Sequence, residues 1–277
     1  MRIHFVAGTA ILLLFWLVSA LFFGFIGSFG NEYTASIITQ IGIWLIPGLA
    51  FAYFFYDNFW DDLKIKNVGK CSDYGLFILL YAISFPFLAY LIKINEAMTF
   101  PESMAALEQM FREMEDKAKE LTLRMLSGTS FMDLMSALLV MAVIPAICEE
   151  VFFRGVVLNN LMKRTSKLHL SVWLSAIFFS FVHFQFFGFL PRVVLGAFLG
   201  YAFVLSKSLW LPIVLHFLNN AIAVIAYYSY QKEWISEDPQ TWETETATLW
   251  MAVLSLAASV GLLWFIFRRN KARSNSE

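Results

Sequence analysis

Eight apolar runs, most of them long enough to cross a bilayer, constrain this chain more than any other feature. They cover roughly 5–27, 34–56, 74–94, 131–153, 171–188, 192–206, 209–230 and 247–267. A hydrocarbon core ~30 Å thick takes about 20 helical residues to span. Lipid offers no partner to a free backbone group, and the runs show no alternating barrel pattern, so they read as helices. The sixth run is short and its link to the fifth is tight, which predicts a close helical hairpin. Composition leaves little room for a soluble fold. The chain is 59% hydrophobic and 15% charged, with a mean hydropathy of +0.66, against roughly 45–50% apolar and about 25% charged in ordinary globular domains. A soluble enzyme, a disordered protein and a nucleic-acid binder are excluded together. The expected fold class is all-α: a polytopic membrane helical bundle of about eight transmembrane helices.

The loops predict an orientation. Alternate loops and ends, counted from the N-terminus, hold 13 of the 20 basic residues: Arg2; Lys64, Lys66, Lys70; Arg154, Lys163, Arg164, Lys167; Lys207; Arg268, Arg269, Lys271, Arg273. The other seven (Lys93, Arg112, Lys117, Lys119, Arg124, Arg192 and Lys232) lie on the opposite set, five of them in or beside one long loop. Basic residues in short loops mark the cytoplasmic side, so both termini are expected there. Single cysteines placed in 95–130 should be labelled by impermeant thiol reagents from outside intact cells; labelling from the cytoplasmic side alone would overturn this orientation. The first run starts at Phe5, exceeds a signal-peptide core and meets no small-residue cleavage site, so it reads as a retained span. Cys71 and Cys148 form neither a disulfide framework nor a metal motif.

Three regions follow. Residues 1–130 hold three spans and a polar stretch; 131–230 hold the spans with polar residues; 231–277 hold an acidic loop, the last span and a basic tail, expected to be disordered from Lys271 onward. Within 95–130, Met104, Leu107, Met110, Phe111, Met114, Ala118, Leu121 and Met125 recur at helical spacing. This predicts an amphipathic helix over about 101–126, lying on the membrane or capping a cavity. A solvated spacer is the plainer alternative.

Ionisable residues inside spans are expensive and therefore point to function. Glu149, Glu150 and Arg154 close the fourth run, His183 sits in the fifth, and His216 and Asn220 sit in the seventh. Glu150 and Arg154 are i and i+4 and can pair along one helix face, as can His216 and Asn220. Glu149, ~100° round the helix from Glu150, is left to face a cavity. Pro145 lies just upstream and frees local backbone to accept a polar partner. Gly196 and Gly200 form a close-packing GxxxG. Such a set suits amide hydrolysis. A desolvated carboxylate takes a proton from water, an imidazole holds that water or a metal bearing it, and a second His with the Asn donates to an oxyanion. Singly, each residue could instead be helix-packing glue.

The order EExxxR (Glu149, Glu150, Arg154), FxxxH (Phe179, His183) and HxxxN (His216, Asn220), on separate apolar helices, resembles the CPBP family, the Abi or type II CAAX prenyl endopeptidase-like intramembrane proteases. The likeness covers about residues 130–225, with Gly196 and Gly200 loosely matching a further motif. It implies a membrane-embedded endopeptidase with Glu149 as the water-activating base, His183 beside it, and His216 with Asn220 opposite. Glu150 and Arg154 support them. It also implies a peptide or membrane-protein substrate, lipidated in some relatives, and a bacterial plasma membrane as the expected location. Members are named metalloproteases, and Glu149, His183 and His216 could supply N/O ligands to Zn2+. There is no HExxH, and the same residues could run a metal-free reaction, the reading preferred here. A proton-coupled transporter would use the same ionisable residues as a relay, but the chain lacks an internal repeat. A catalytically silent immunity or scaffold protein on the same fold is the remaining alternative.

Overall fold

The computed structural model describes residues 2–27, 29–239, 241 and 247–274. Helix α1 is Arg2–Gly27, α2 Glu32–Phe55 and α3 Cys71–Glu96. The surface helix α4 is Ala105–Met125. Then follow α5 Phe131–Thr165, α6 Leu168–Phe181, α7 Phe189–Ser206, α8 Trp210–Gln231 and α9 Leu249–Ser274. Among the described residues there is no strand. The chain is a polytopic helical bundle and an integral membrane protein. Large side chains on α1 and α9 such as Leu14, Leu21, Phe25, Trp250, Leu254 and Val260 stay exposed, as lipid-facing helices require.

Among the described residues, seven helices are long and apolar enough to cross a membrane, and α6 is an eighth, shorter apolar helix. Its 14 residues rise ~21 Å, less than the ~30 Å of a hydrocarbon core. The run at 171–188 is largely apolar, but the helix ends at Phe181. The chain turns through Val182–Gln185, with Phe184 at φ +53°, and a 3-10 turn Phe186–Gly188 leads into α7. Hydropathy cannot see that break. The hairpin itself is present: a Cβ on Gly196 would stand 3.1 Å from Ala176, and one on Gly200 3.1 Å from Val172, so the glycines set the close approach of α6 and α7.

The loops fall at two ends. At one, Lys163 pairs with Asp62 at 3.1 Å, Asn67 Nδ2 donates to the Lys207 carbonyl and Trp210 Nε1 to that of Ile65. At the other, Arg124 pairs with Glu32 at 2.6 Å, and the Tyr33 hydroxyl donates to the Met125 carbonyl. The tail expectation is corrected: α9 stays helical through Ser274, because Arg269 and Arg273 both pair with the buried Asp73 at the start of α3. In the acidic loop, residues 240 and 242–246 lie outside the described residues, as do 275–277.

Among the described residues, three π-helical segments interrupt the bundle: Ile41–Leu45 in α2, and Leu139–Val143 and Val151–Leu158 in α5. The first two each end two residues before a proline, Pro47 and Pro145. A proline removes one N–H and crowds the carbonyl four residues back, and widening the helix relieves that crowding. The third segment has no proline; its carbonyls accept side-chain hydrogen bonds. Gly155 O accepts from the Tyr56 hydroxyl at 2.7 Å and Asn159 Nδ2 at 2.9 Å, and Phe153 O accepts from Ser175 Oγ. These segments flank the polar interior.

Candidate active site

Glu149 and Glu150 sit in the α-helical stretch between the two π segments of α5, and both are buried, at 5% and 0% exposure. Their roles divide by helix geometry as the spacing predicts. Glu150 Oε1 accepts from Arg154 Nη1 at 2.8 Å and from His216 Nδ1 at 2.8 Å. Arg154 Nη2 donates to the Gly196 carbonyl at 2.9 Å, so one guanidinium ties α5 to α7, while Glu150 ties α5 to α8. Glu150 Oε2 and Arg154 Nε are buried with no hydrogen-bond partner. A buried polar group left without a partner costs about 1–3 kcal/mol.

Glu149 faces the other way. Its Oε2 lies 3.9 Å from His183 Nε2 and 3.9 Å from His216 Nε2. Both gaps are too long for a direct hydrogen bond and of the size that a bridging water fills. The far nitrogens fix the rings. His183 Nδ1 lies 2.7 Å from the Phe179 carbonyl, which can only accept, so Nδ1 carries the proton. His216 Nδ1 is held by Glu150. In their neutral forms both imidazoles therefore turn a lone pair on Nε2 towards Glu149. The Phe179 ring forms the common wall: it meets His183 at 5.0 Å, His216 at 6.1 Å and the Arg154 guanidinium at 4.8 Å.

Asn220 stands one turn beyond His216 on α8, but its polar contacts point elsewhere. Nδ2 donates to the Met141 carbonyl at 3.2 Å, and Oδ1 accepts from Asn219 Nδ2 at 3.0 Å. Met141 is four residues before Pro145, so its carbonyl lacks the usual helical donor, as the sequence led one to expect. One N–H of Asn220 is thereby committed to structure and the other is left. Asn219 is steadied in turn by the Tyr81 hydroxyl at 3.0 Å.

Gln40 belongs to the site and escaped the sequence reading. Its Nε2 donates to Glu149 Oε1 at 3.1 Å from the edge of the π segment of α2. The signal was there, a lone amide between Thr39 and Ile41 in a largely apolar run.

The donor types suit a zinc ion, and both imidazoles have the second-shell bonds that metal ligands usually have. As placed, though, no three His, Cys, Asp or Glu side chains among the described residues are arranged to hold an ion.

Residues 131–222 match the family described as Rce1-like, type II CAAX prenyl endopeptidase. This segment is similar to that family. The match takes in Glu149, Glu150, Arg154, Phe179, His183, His216 and Asn220 together, and it supports a protease-type function in a membrane setting. No curated protein and no solved structure is similar enough to match. Gln40, Tyr81 and the surface helix lie outside the Rce1-like segment.

Proposed function

We propose that this chain is an intramembrane endopeptidase that hydrolyses a peptide bond near the membrane with a water activated by Glu149. The observation that carries the reading is the convergence of Glu149 Oε2, His183 Nε2 and His216 Nε2 at water-bridging distances in an apolar interior. A water between them gives one proton to Glu149 as its oxygen attacks the scissile carbonyl carbon, while His183 Nε2 accepts a hydrogen bond from the other. The carbonyl electrons move onto oxygen. The oxyanion is stabilised by the remaining N–H of Asn220, with a protonated His216 Nε2 as the second donor. Collapse of the tetrahedral intermediate breaks the C–N bond, and the leaving amine takes the proton from Glu149. One water is added across the bond, and no covalent enzyme intermediate forms. The substrate is a peptide or membrane-protein segment, and a lipidated C-terminal tail is the type that the family description names.

Two tests follow from the roles. Asn220→Ala removes one oxyanion donor and should lower kcat by about 10²–10³, measured on a fluorogenic peptide in detergent micelles; full activity would remove Asn220 from the reaction. A chelator should leave wild-type cleavage intact if His183 holds water. Loss of activity that added zinc restores would assign His183 to a metal instead.

A further inference from the structure

The turn that carries His183 is pinned by residues outside the Rce1-like segment. Asn95, near the end of α3, is 1% exposed. Its Nδ2 donates to the Phe186 carbonyl at 3.1 Å and its Oδ1 accepts from the Leu190 N–H at 2.7 Å, so one amide spans both sides of the turn. Glu115 on the surface helix α4 accepts from the Phe187 N–H at 3.2 Å. Burial holds its carboxyl above the usual carboxylate range, against the opposing pull of that N–H and of Arg192. Around this contact the Arg112 guanidinium stacks over Phe187 at 4.0 Å, and Phe100 and Phe111 pack on Phe186 at 4.7 and 5.8 Å. Within the hairpin, Arg192 Nη2 donates to Gln185 Oε1 at 2.5 Å, and Ser180 Oγ donates to the Phe189 carbonyl at 2.8 Å.

Irregular backbone at membrane depth persists only where protein groups satisfy it. The turn here is irregular, since the helix ends at Phe181 and Phe184 takes φ +53°. We propose that Asn95 and Glu115 are positioning residues that hold the 182–190 turn so that His183 Nε2 faces Glu149, which makes α4 a clasp on the catalytic site. The catalytic half of this inference rests on the peptidase reading.

The test uses the full chain in detergent micelles with quenched-fluorescent peptides, farnesylated and unmodified. Asn95→Ala and Glu115→Ala should lower kcat by roughly 10–10²-fold, the loss expected from a misplacement of about 1 Å. KM should stay within about twofold, the signature of a lost transition-state interaction. Glu115→Gln keeps an oxygen for the Phe187 N–H and should restore most of the rate. Measured against the residual rate of His183→Ala, Asn95→Ala should cost nothing more, because it acts through the ring already removed. A further loss in that background, or a rise in KM at unchanged kcat, would overturn the assignment. Hydrogen exchange gives a readout free of substrate: both alanine variants should accelerate exchange over 182–190 and leave 139–158 protected. Unchanged exchange at 182–190 would overturn the clasp. If the wild type cleaves no peptide, the peptidase reading falls, and the exchange arm still decides whether Asn95 and Glu115 hold the turn.

Discussion

Glu149→Gln is expected to lower the rate of peptide cleavage by about 10²–10⁴, the usual consequence of losing a positioned general base. The substitution keeps the shape of the side chain. It also keeps an oxygen for Gln40 Nε2, which now sits 3.1 Å from Glu149 Oε1, so the variant should fold and bind like the wild type. Single-turnover kinetics on a fluorogenic peptide would separate the chemical step from binding. Thermal unfolding in the same detergent should change little, since Glu149 is not part of the Glu150–Arg154–His216 cluster. A large drop in stability together with the activity loss would mean that Glu149 holds the fold rather than the water.

Arg154 should behave in the opposite way. It is 1% exposed and bonds both Glu150 and the Gly196 carbonyl. Arg154→Met leaves Glu150 with no cationic partner but His216, in a buried site. Breaking such a pair typically costs about 3–5 kcal/mol, enough to be plain in thermal unfolding and in the yield of folded protein. Removing both charges together, as Arg154→Met with Glu150→Leu, should recover much of the stability without recovering activity, since replacing a buried pair by apolar groups is often neutral. If the single variant unfolds like the wild type, Arg154 does not tie α5 to α7.

The contrast between these residues was legible in the chain because 3.6-residue periodicity converts spacing into faces. EExxxR puts Glu150 on Arg154 and turns Glu149 away, and the structure keeps that division. The GxxxG of α7 was legible as packing for the same reason. The paired role of His216 was less so: spacing along α8 cannot show that its Nδ1 reaches Glu150 on α5, a contact between residues far apart in sequence. The end of α6 at Phe181 was hidden because hydropathy measures affinity for lipid, and the residues that flank His183 where the chain turns (Val182, Phe184) are as apolar as those of a helix. The order at the C-terminus was hidden because Arg273 reads as a free basic tail until Asp73 is seen beside it. Apart from Asn220, the supporting uncharged polar residues were missed. Gln40, Tyr81 through Asn219, and Asn95 each support one of the proposed catalytic groups from helices α2 and α3, outside residues 131–222. The N-terminal third therefore acts as a scaffold that fixes what the Rce1-like segment carries.

The central claim, hydrolysis by a Glu149-held water without a covalent intermediate, is tested most directly by mass spectrometry of wild-type turnover in proteoliposomes, with farnesylated and unmodified peptides. The expected result is two fragments whose combined mass is the substrate plus one water, no adduct on the intact protein during turnover, and no fragments from Glu149→Gln over the same time. Equal fragments from Glu149→Gln, a covalent peptide adduct on the protein, or no cleavage of any peptide by the wild type would contradict it.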